Sequence, residues 1–114
     1  MEQLLHYVWK HKIFPLSALQ TTSGRPVEVI DPGLPNMNAG PDFFNAKLKI
    51  DGTLWVGNVE VHTQASEWLL HRHDCDKAYD TVILHVVGES NCDVYRTNGE
   101  LCLLYTSPSP RDRS

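Results

Sequence analysis

No stretch of this sequence is apolar for long enough to span a bilayer, and nothing after Met1 has the basic-then-apolar pattern of a secretory leader. No membrane partner is therefore expected. Cysteine is scarce: Cys75, Cys92 and Cys102 lack the Cys-x-x-Cys spacing of a metal knuckle and the density of a disulfide scaffold. Such usage suits a reducing compartment, and a cytoplasmic protein is the expectation. Basic residues are outnumbered too, with ten Lys and Arg against fourteen Asp and Glu, a net charge of −4. A chain of that sign has no general pull towards nucleic acid, so a polyanion would need a local basic face. What is present argues against disorder. Hydrophobic residues make up 41% and charged residues 21%, an ordinary globular balance at a length suited to one small domain.

The end of the chain reads differently. From Cys102 to Asp112 the eleven residues are Cys-Leu-Leu-Tyr-Thr-Ser-Pro-Ser-Pro-Arg-Asp. All eleven resemble the in-frame translation of a transposase adapter used in sequencing libraries. The resemblance implies that 102–114 is a non-native tail outside the fold. Residues 1–101 would then be the N-terminal fragment of a larger protein, with the missing part of its own chain as a partner. Without Arg111, Asp112 and Arg113, eight basic residues face thirteen acidic ones, a charge of −5.

Leu4, Leu5, Val8 and Trp9 fall at helical spacing within residues 2–11, with Glu2 in the first turn and Lys10, His11 and Lys12 in the last. An amphipathic helix is expected there, ended by Pro15. A short extended piece near Leu19 and the Ser23-Gly24 turn lead to a strand over Val27 to Ile30. Residues 31–41 carry three prolines and two glycines and read as a long irregular loop, a common place for function. Residues 42–50 alternate, with Phe44, Ala46, Leu48 and Ile50 on one side. Asp51-Gly52 signals a hairpin, and Leu54 to His62 forms the return strand. Residues 64–80 read as helix in one or two pieces. The run from Thr81 to Val87 reads as a strand buried on both faces, with a last extended piece around Val94-Tyr95-Arg96 and a turn at Asn98-Gly99. The expected fold class is α/β (α+β): a mixed sheet with flanking helices, ordered helix, three strands, helix, strand.

The most chemically suggestive residues are Asp42, Glu60 and His62. Carboxylates on neighbouring strands can hold a hard divalent cation such as Mg2+ or Mn2+. The ion would acidify a bound water, and His62 could orient or deprotonate that water at neutral pH. Register decides whether the three converge. A two-residue Asp51-Gly52 loop sets Asp42 opposite Val61 and sends Glu60 and His62 to the other face. A three-residue loop, or a bulge, puts all three on one face. A second cluster, His71, His73 and Asp74 with Asp76 behind, offers zinc-type ligands or, more plainly, a polar helix-to-loop segment adding outer partners near Glu60. His85 reads as a hydrogen-bonded core histidine, His6 and His11 as surface residues, and Trp9, Trp55 and Trp68 as core anchors.

Pro41-Asp42, followed after a hairpin by Glu60-Val61-His62, resembles the PD-(D/E)xK nuclease signature and its restriction-endonuclease-like core. The resemblance implies a metal-dependent phosphodiester hydrolase acting on nucleic acid, with Asp42 and Glu60 as metal ligands and the Val61 carbonyl beside them. His62 stands where that family has lysine, so a degenerate, non-catalytic scaffold is the alternative, and Lys47 or Lys49 is a candidate displaced ammonium. The run His71-Arg72-His73-Asp74-Cys75-Asp76 is similar to the metallo-β-lactamase His-x-His-x-Asp-His pattern, with Cys75 and Asp76 replacing its last two ligands. A broader resemblance covers Asn38 to Ala46, Gly57 to His62 and Asp80 to Val87. These segments resemble a bacterial domain-of-unknown-function family of long cytosolic proteins, which implies no particular activity.

Overall fold

The computed structural model describes residues 2–11, 21–97, 99 and 104–106. Helix α1, Glu2–Lys10, buries Leu5 and Trp9 one turn apart, and the Trp9 indole donates to the Pro32 carbonyl at 2.9 Å. Strands β1 (Val27–Asp31), β2 (Leu34–Pro35), β3 (Phe43–Ile50), β4 (Thr53–Gln64), β5 (Val82–Glu89) and β6 (Leu104–Thr106) form a mixed sheet. Its order is β1-β3-β4-β5-β6, with β2 pairing beside β3. The first pairings are antiparallel, while β4–β5 and β5–β6 are parallel. This is an α+β fold, as the order of apolar periods implies. β6 lies within the stretch that resembles the adapter. The expected extended piece near Leu19, Pro15 and Asn98 all lie outside the described residues.

Two apolar layers cover the sheet. Leu5 and Trp9 pack with Phe43, Ala46, Leu48, Val59, Val61, Leu84 and Val86 on one face. Ala65, Trp68, Tyr79, Val82, Val87 and Val94 pack on the other, under the segment that crosses from β4 to β5. That crossover departs from the expected helix over 64–80. Only Glu67–Leu70 (α2) is α-helical, followed by single 3-10 turns at His73–Cys75 and Lys77–Tyr79. The break has a local cause. Arg72 sits at φ +59°, which no continuing helix accepts. Asp76 then caps the next turn by accepting from the Ala78 amide at 2.9 Å. The kink turns His73 inward.

The β3–β4 hairpin is where register is decided. Ile50 pairs with Thr53, so the loop is the two-residue Asp51-Gly52, and Ala46 still pairs with Gly57. Beyond that point the register slips, and Phe43 pairs with Val59. Phe44 and Asn45 together therefore face Asn58 alone, which is a β-bulge. Asn45 takes φ +59°, a left-handed conformation that Asn tolerates better than most residues, and its amide donates to the Asn58 side chain at 3.1 Å. The bulge corrects the expected alternation: Phe43 is the buried residue and Phe44 is exposed. It also returns Asp42 to the face of Glu60. Trp55 is a second correction. It is 40% exposed rather than a core anchor, because β5 begins opposite Asn58 and leaves the hairpin tip uncovered.

Candidate metal centre

Glu60 and His62 alternate with core-facing Val59 and Val61, so both look towards the crossover. On the neighbouring parallel strand Glu60 pairs with His85, and His62 with Val87. Asp42 reaches the same place from the end of β3. Its Oδ2 accepts from the Val61 amide at 2.9 Å, and its own amide donates to Glu60 Oε1 at 3.1 Å. Each carboxyl group thus accepts from a backbone amide on the opposite strand segment, Asp42 from Val61 and Glu60 from Asp42. His6 of α1 places Nε2 3.5 Å from Asp42 Oδ2, so it is a neighbour of the site as well as a partly exposed helix residue.

The crossover supplies the rest. His73 Nε2 lies 3.0 Å from Glu60 Oε2, and His62 Nε2 lies 3.2 Å from the same oxygen. His71 Nδ1 lies 3.2 Å from His62 Nε2. One ligand atom from each of His62, His71 and His73 falls within 4.8 Å of the others, a grouping that could hold a metal ion. His62 and His73 are buried while His71 is exposed, so the cluster opens to solvent on the His71 side. Tyr79 stacks on the His73 ring at 3.7 Å between centroids, and Trp68 presents an edge contact to it at 5.3 Å. These rings fix the imidazole that the left-handed Arg72 turns inward.

Burial favours the neutral form of the two inner imidazoles, His62 and His73. Burial, then the neighbouring His73, pushes His62 down to about 4. His73 is lowered by burial and by His71. Burial, then the Glu60 and Asp42 charges, pushes the Tyr79 hydroxyl up to about 12. Neutral imidazoles are the form that binds a metal.

Of the residues singled out from sequence, Asp42, Glu60 and His62 do share one face. The histidine run 71–73 joins them instead of forming a separate site. Asp76 serves as a turn cap, and Cys75 is free and exposed. Lys47 and Lys49 are exposed on the hairpin arm, opposite Val56 and Leu54. Sequence reasoning placed the 71–76 segment as a source of outer partners near Glu60, as the His73 contact has it, but did not make His71 and His73 one donor group with His62, nor find the contact of His85 with His62. The signal for the second was an imidazole alone in an aliphatic strand.

No curated protein and no solved structure matches the chain, so the nuclease resemblance gains no support from a relative. The broader likeness fares better: the family described as "Protein of unknown function (DUF2851)" matches residues 2–104, and the chain belongs to that family.

Proposed function

We propose that this chain carries a transition-metal centre with His62, His71, His73 and Glu60 as ligands, and that the centre activates water for hydrolysis. The observation that carries the reading is the spacing of the four donor atoms. A tetrahedral ion with bonds of about 2.0–2.1 Å has ligand-to-ligand edges of roughly 3.3–3.4 Å. Three of those edges measure 3.0, 3.2 and 3.2 Å here, so a small outward shift would admit an ion. Three imidazoles and one carboxylate suit zinc best and manganese next. They suit magnesium least, because it takes oxygen ligands in an octahedron. A water taken as a fifth ligand would have its pKa lowered by the ion, which would also stabilise developing negative charge on the substrate. His71 faces solvent, which gives a substrate its approach.

A phosphodiester is the finer part of this proposal. It rests on Asp42 standing beside Glu60 and His62, an acidic group next to the ion that could orient or deprotonate the attacking water. The net charge of −4 gives no general attraction for a long polyanion, so short phosphodiesters are the first substrates to try. Cys75 and Cys92, both free among the described residues, fit a reducing cytoplasm. A second reading is a non-catalytic domain with a structural ion, favoured because four protein donors can fill a tetrahedral shell unaided.

The test is metal content and turnover measured together. Zinc, manganese and magnesium are titrated into the chelator-treated chain. Cleavage of a chromogenic phosphodiester and of short oligonucleotides is then followed for wild type, Glu60→Ala and His71→Ala. One zinc per chain, with turnover that both variants lose, supports the hydrolase. One zinc without turnover moves the site to the structural reading. Absence of any transition-metal binding ends both.

A further inference from the structure

His85 is anomalous where it stands. It is fully buried in β5, between Leu84 and Val86, in a strand otherwise aliphatic from Val82 to Val87. Burying an imidazole costs desolvation of two ring nitrogens, and a buried nitrogen with no partner costs about 1–3 kcal/mol. Nδ1 of His85 has no hydrogen-bond partner among the described residues. Its Nε2 has one, His62 Nδ1 at 2.7 Å. The two rings meet edge to face, 4.9 Å between centroids at 89°, and Trp68 closes on His85 at 5.1 Å. A leucine would fill this place with no unpartnered nitrogen of its own but would leave His62 Nδ1 without this partner, so the contact with His62, not packing, accounts for the residue.

Building on the metal-centre reading above, we infer that His85 is the positioning partner of the ligand His62. It accepts the Nδ1 proton, and so holds the Nε2 lone pair and the ring plane on the ion. The chemistry leaves one arrangement. An imidazole bound to a metal through Nε2 carries its proton on Nδ1, and that N–H needs an acceptor, most often a carboxylate, a carbonyl or water. The atom facing His62 Nδ1 is His85 Nε2. His85 is fully buried, so no water competes for its Nε2, and that nitrogen can serve as the acceptor. His85 touches neither the ion nor substrate. It acts through His62, and the parallel β4–β5 ladder sets its distance, because Glu60 and His85 are paired residues in that ladder.

The experiment compares zinc affinity, by competition with a chromogenic chelator, in wild type, His85→Leu, His85→Gln and His71→Ala. Thermal unfolding of each chelated protein runs alongside. His85→Leu is expected to melt near the wild-type temperature, because one unpartnered ring nitrogen replaces another, yet bind zinc roughly 10–100-fold more weakly, the usual effect of losing an outer partner. His85→Gln, whose amide oxygen can reach the same position, is expected to recover most of that affinity. A structural role alone would not separate the two readouts in this way. In zinc-loaded wild type, nitrogen NMR is expected to show the His62 proton on Nδ1, with a coupling across the hydrogen bond to His85 Nε2. That readout needs no variant and decides the matter if His85→Leu fails to fold. If His85→Leu binds zinc within about threefold of wild type while His71→Ala has lost it, the inference falls and the metal centre stands. If the coupling is absent from zinc-loaded wild type, the inference falls as well. If wild type binds no zinc, both fall together.

Discussion

At the scale of single residues, Glu60 sets the terms. Its side chain is 5% exposed, and its partners include the Asp42 amide and the His73 ring nitrogen, with His62 Nε2 3.2 Å away. A carboxylate removed from water needs such donors, because an unmet one loses hydration with nothing in return. His73 and His71 therefore differ in what they do for stability, although both belong to the same donor group. His73 is buried, bonded to Glu60 and stacked on Tyr79; His71 is exposed, with Nδ1 3.2 Å from His62 Nε2. His73→Leu is expected to cost roughly 1.5–3 kcal/mol in the metal-free protein, the range for losing a hydrogen bond to a charged group. His71→Ala should stay within about 0.5 kcal/mol of wild type, as exposed substitutions do. Urea unfolding in chelator measures both, and zinc titration should show binding lost in both. Equal stability losses would mean that Glu60 does not depend on His73.

At the scale of elements, the bulge at Phe44-Asn45 does what the turn alone does not. The Asp51-Gly52 loop was legible as a hairpin signal, and by strict alternation it places Asp42 away from Glu60. One extra residue in β3 reverses that. Nothing in the apolar pattern announces it, because Phe43 and Phe44 are both aromatic and either can fill the core position. The only local hint is Asn45, a residue at ease with positive φ inside a strand. The crossover was misread for a similar reason. Trp68, Leu69, Leu70, Ala78 and Tyr79 have helical spacing, but the left-handed Arg72 is fixed by tertiary demand on His73 and not by propensity. Helix α1, the β3–β4 hairpin and the buried β5 were readable because each has a clean hydrophobic period. Asn45→Val tests the bulge. A β-branched side chain in the left-handed region costs about 1–2 kcal/mol, whereas Asn45→Gly should stay within roughly 0.5 kcal/mol of wild type. If the valine variant straightens β3, the Val61 amide loses its bond to Asp42 and its proton resonance moves upfield. An Asn45→Val protein as stable as wild type, with that resonance unmoved, would show that the bulge is held by something other than this dihedral.

At the scale of the molecule, the proposed ion would join two parts that the chain otherwise connects loosely. Glu60 and His62 belong to β4, a strand paired on both sides. His71 and His73 belong to a crossover with one four-residue helix and two isolated 3-10 turns, so it has few repeating backbone hydrogen bonds of its own. Its anchorage comes from Trp68, whose indole donates to the Tyr95 carbonyl at 2.9 Å, from Tyr79, and from Asp80, which accepts from the Thr97 amide at 2.9 Å. An ion bound only by the folded arrangement stabilises it by mass action. At a free concentration one hundred times the dissociation constant the gain is about 2.7 kcal/mol. For a domain of this size that corresponds to roughly 10–20 °C in Tm. Zinc should produce such a rise, an equal concentration of magnesium should produce little, and chelator should reverse it. His71→Ala should abolish the rise while leaving the chelated Tm nearly unchanged. Hydrogen exchange should locate the added protection in residues 67–80 and leave the β1–β3 pairing as it was. A zinc-dependent rise spread evenly over the sheet, or one that survives in His71→Ala, would place the ion somewhere other than between strand and crossover.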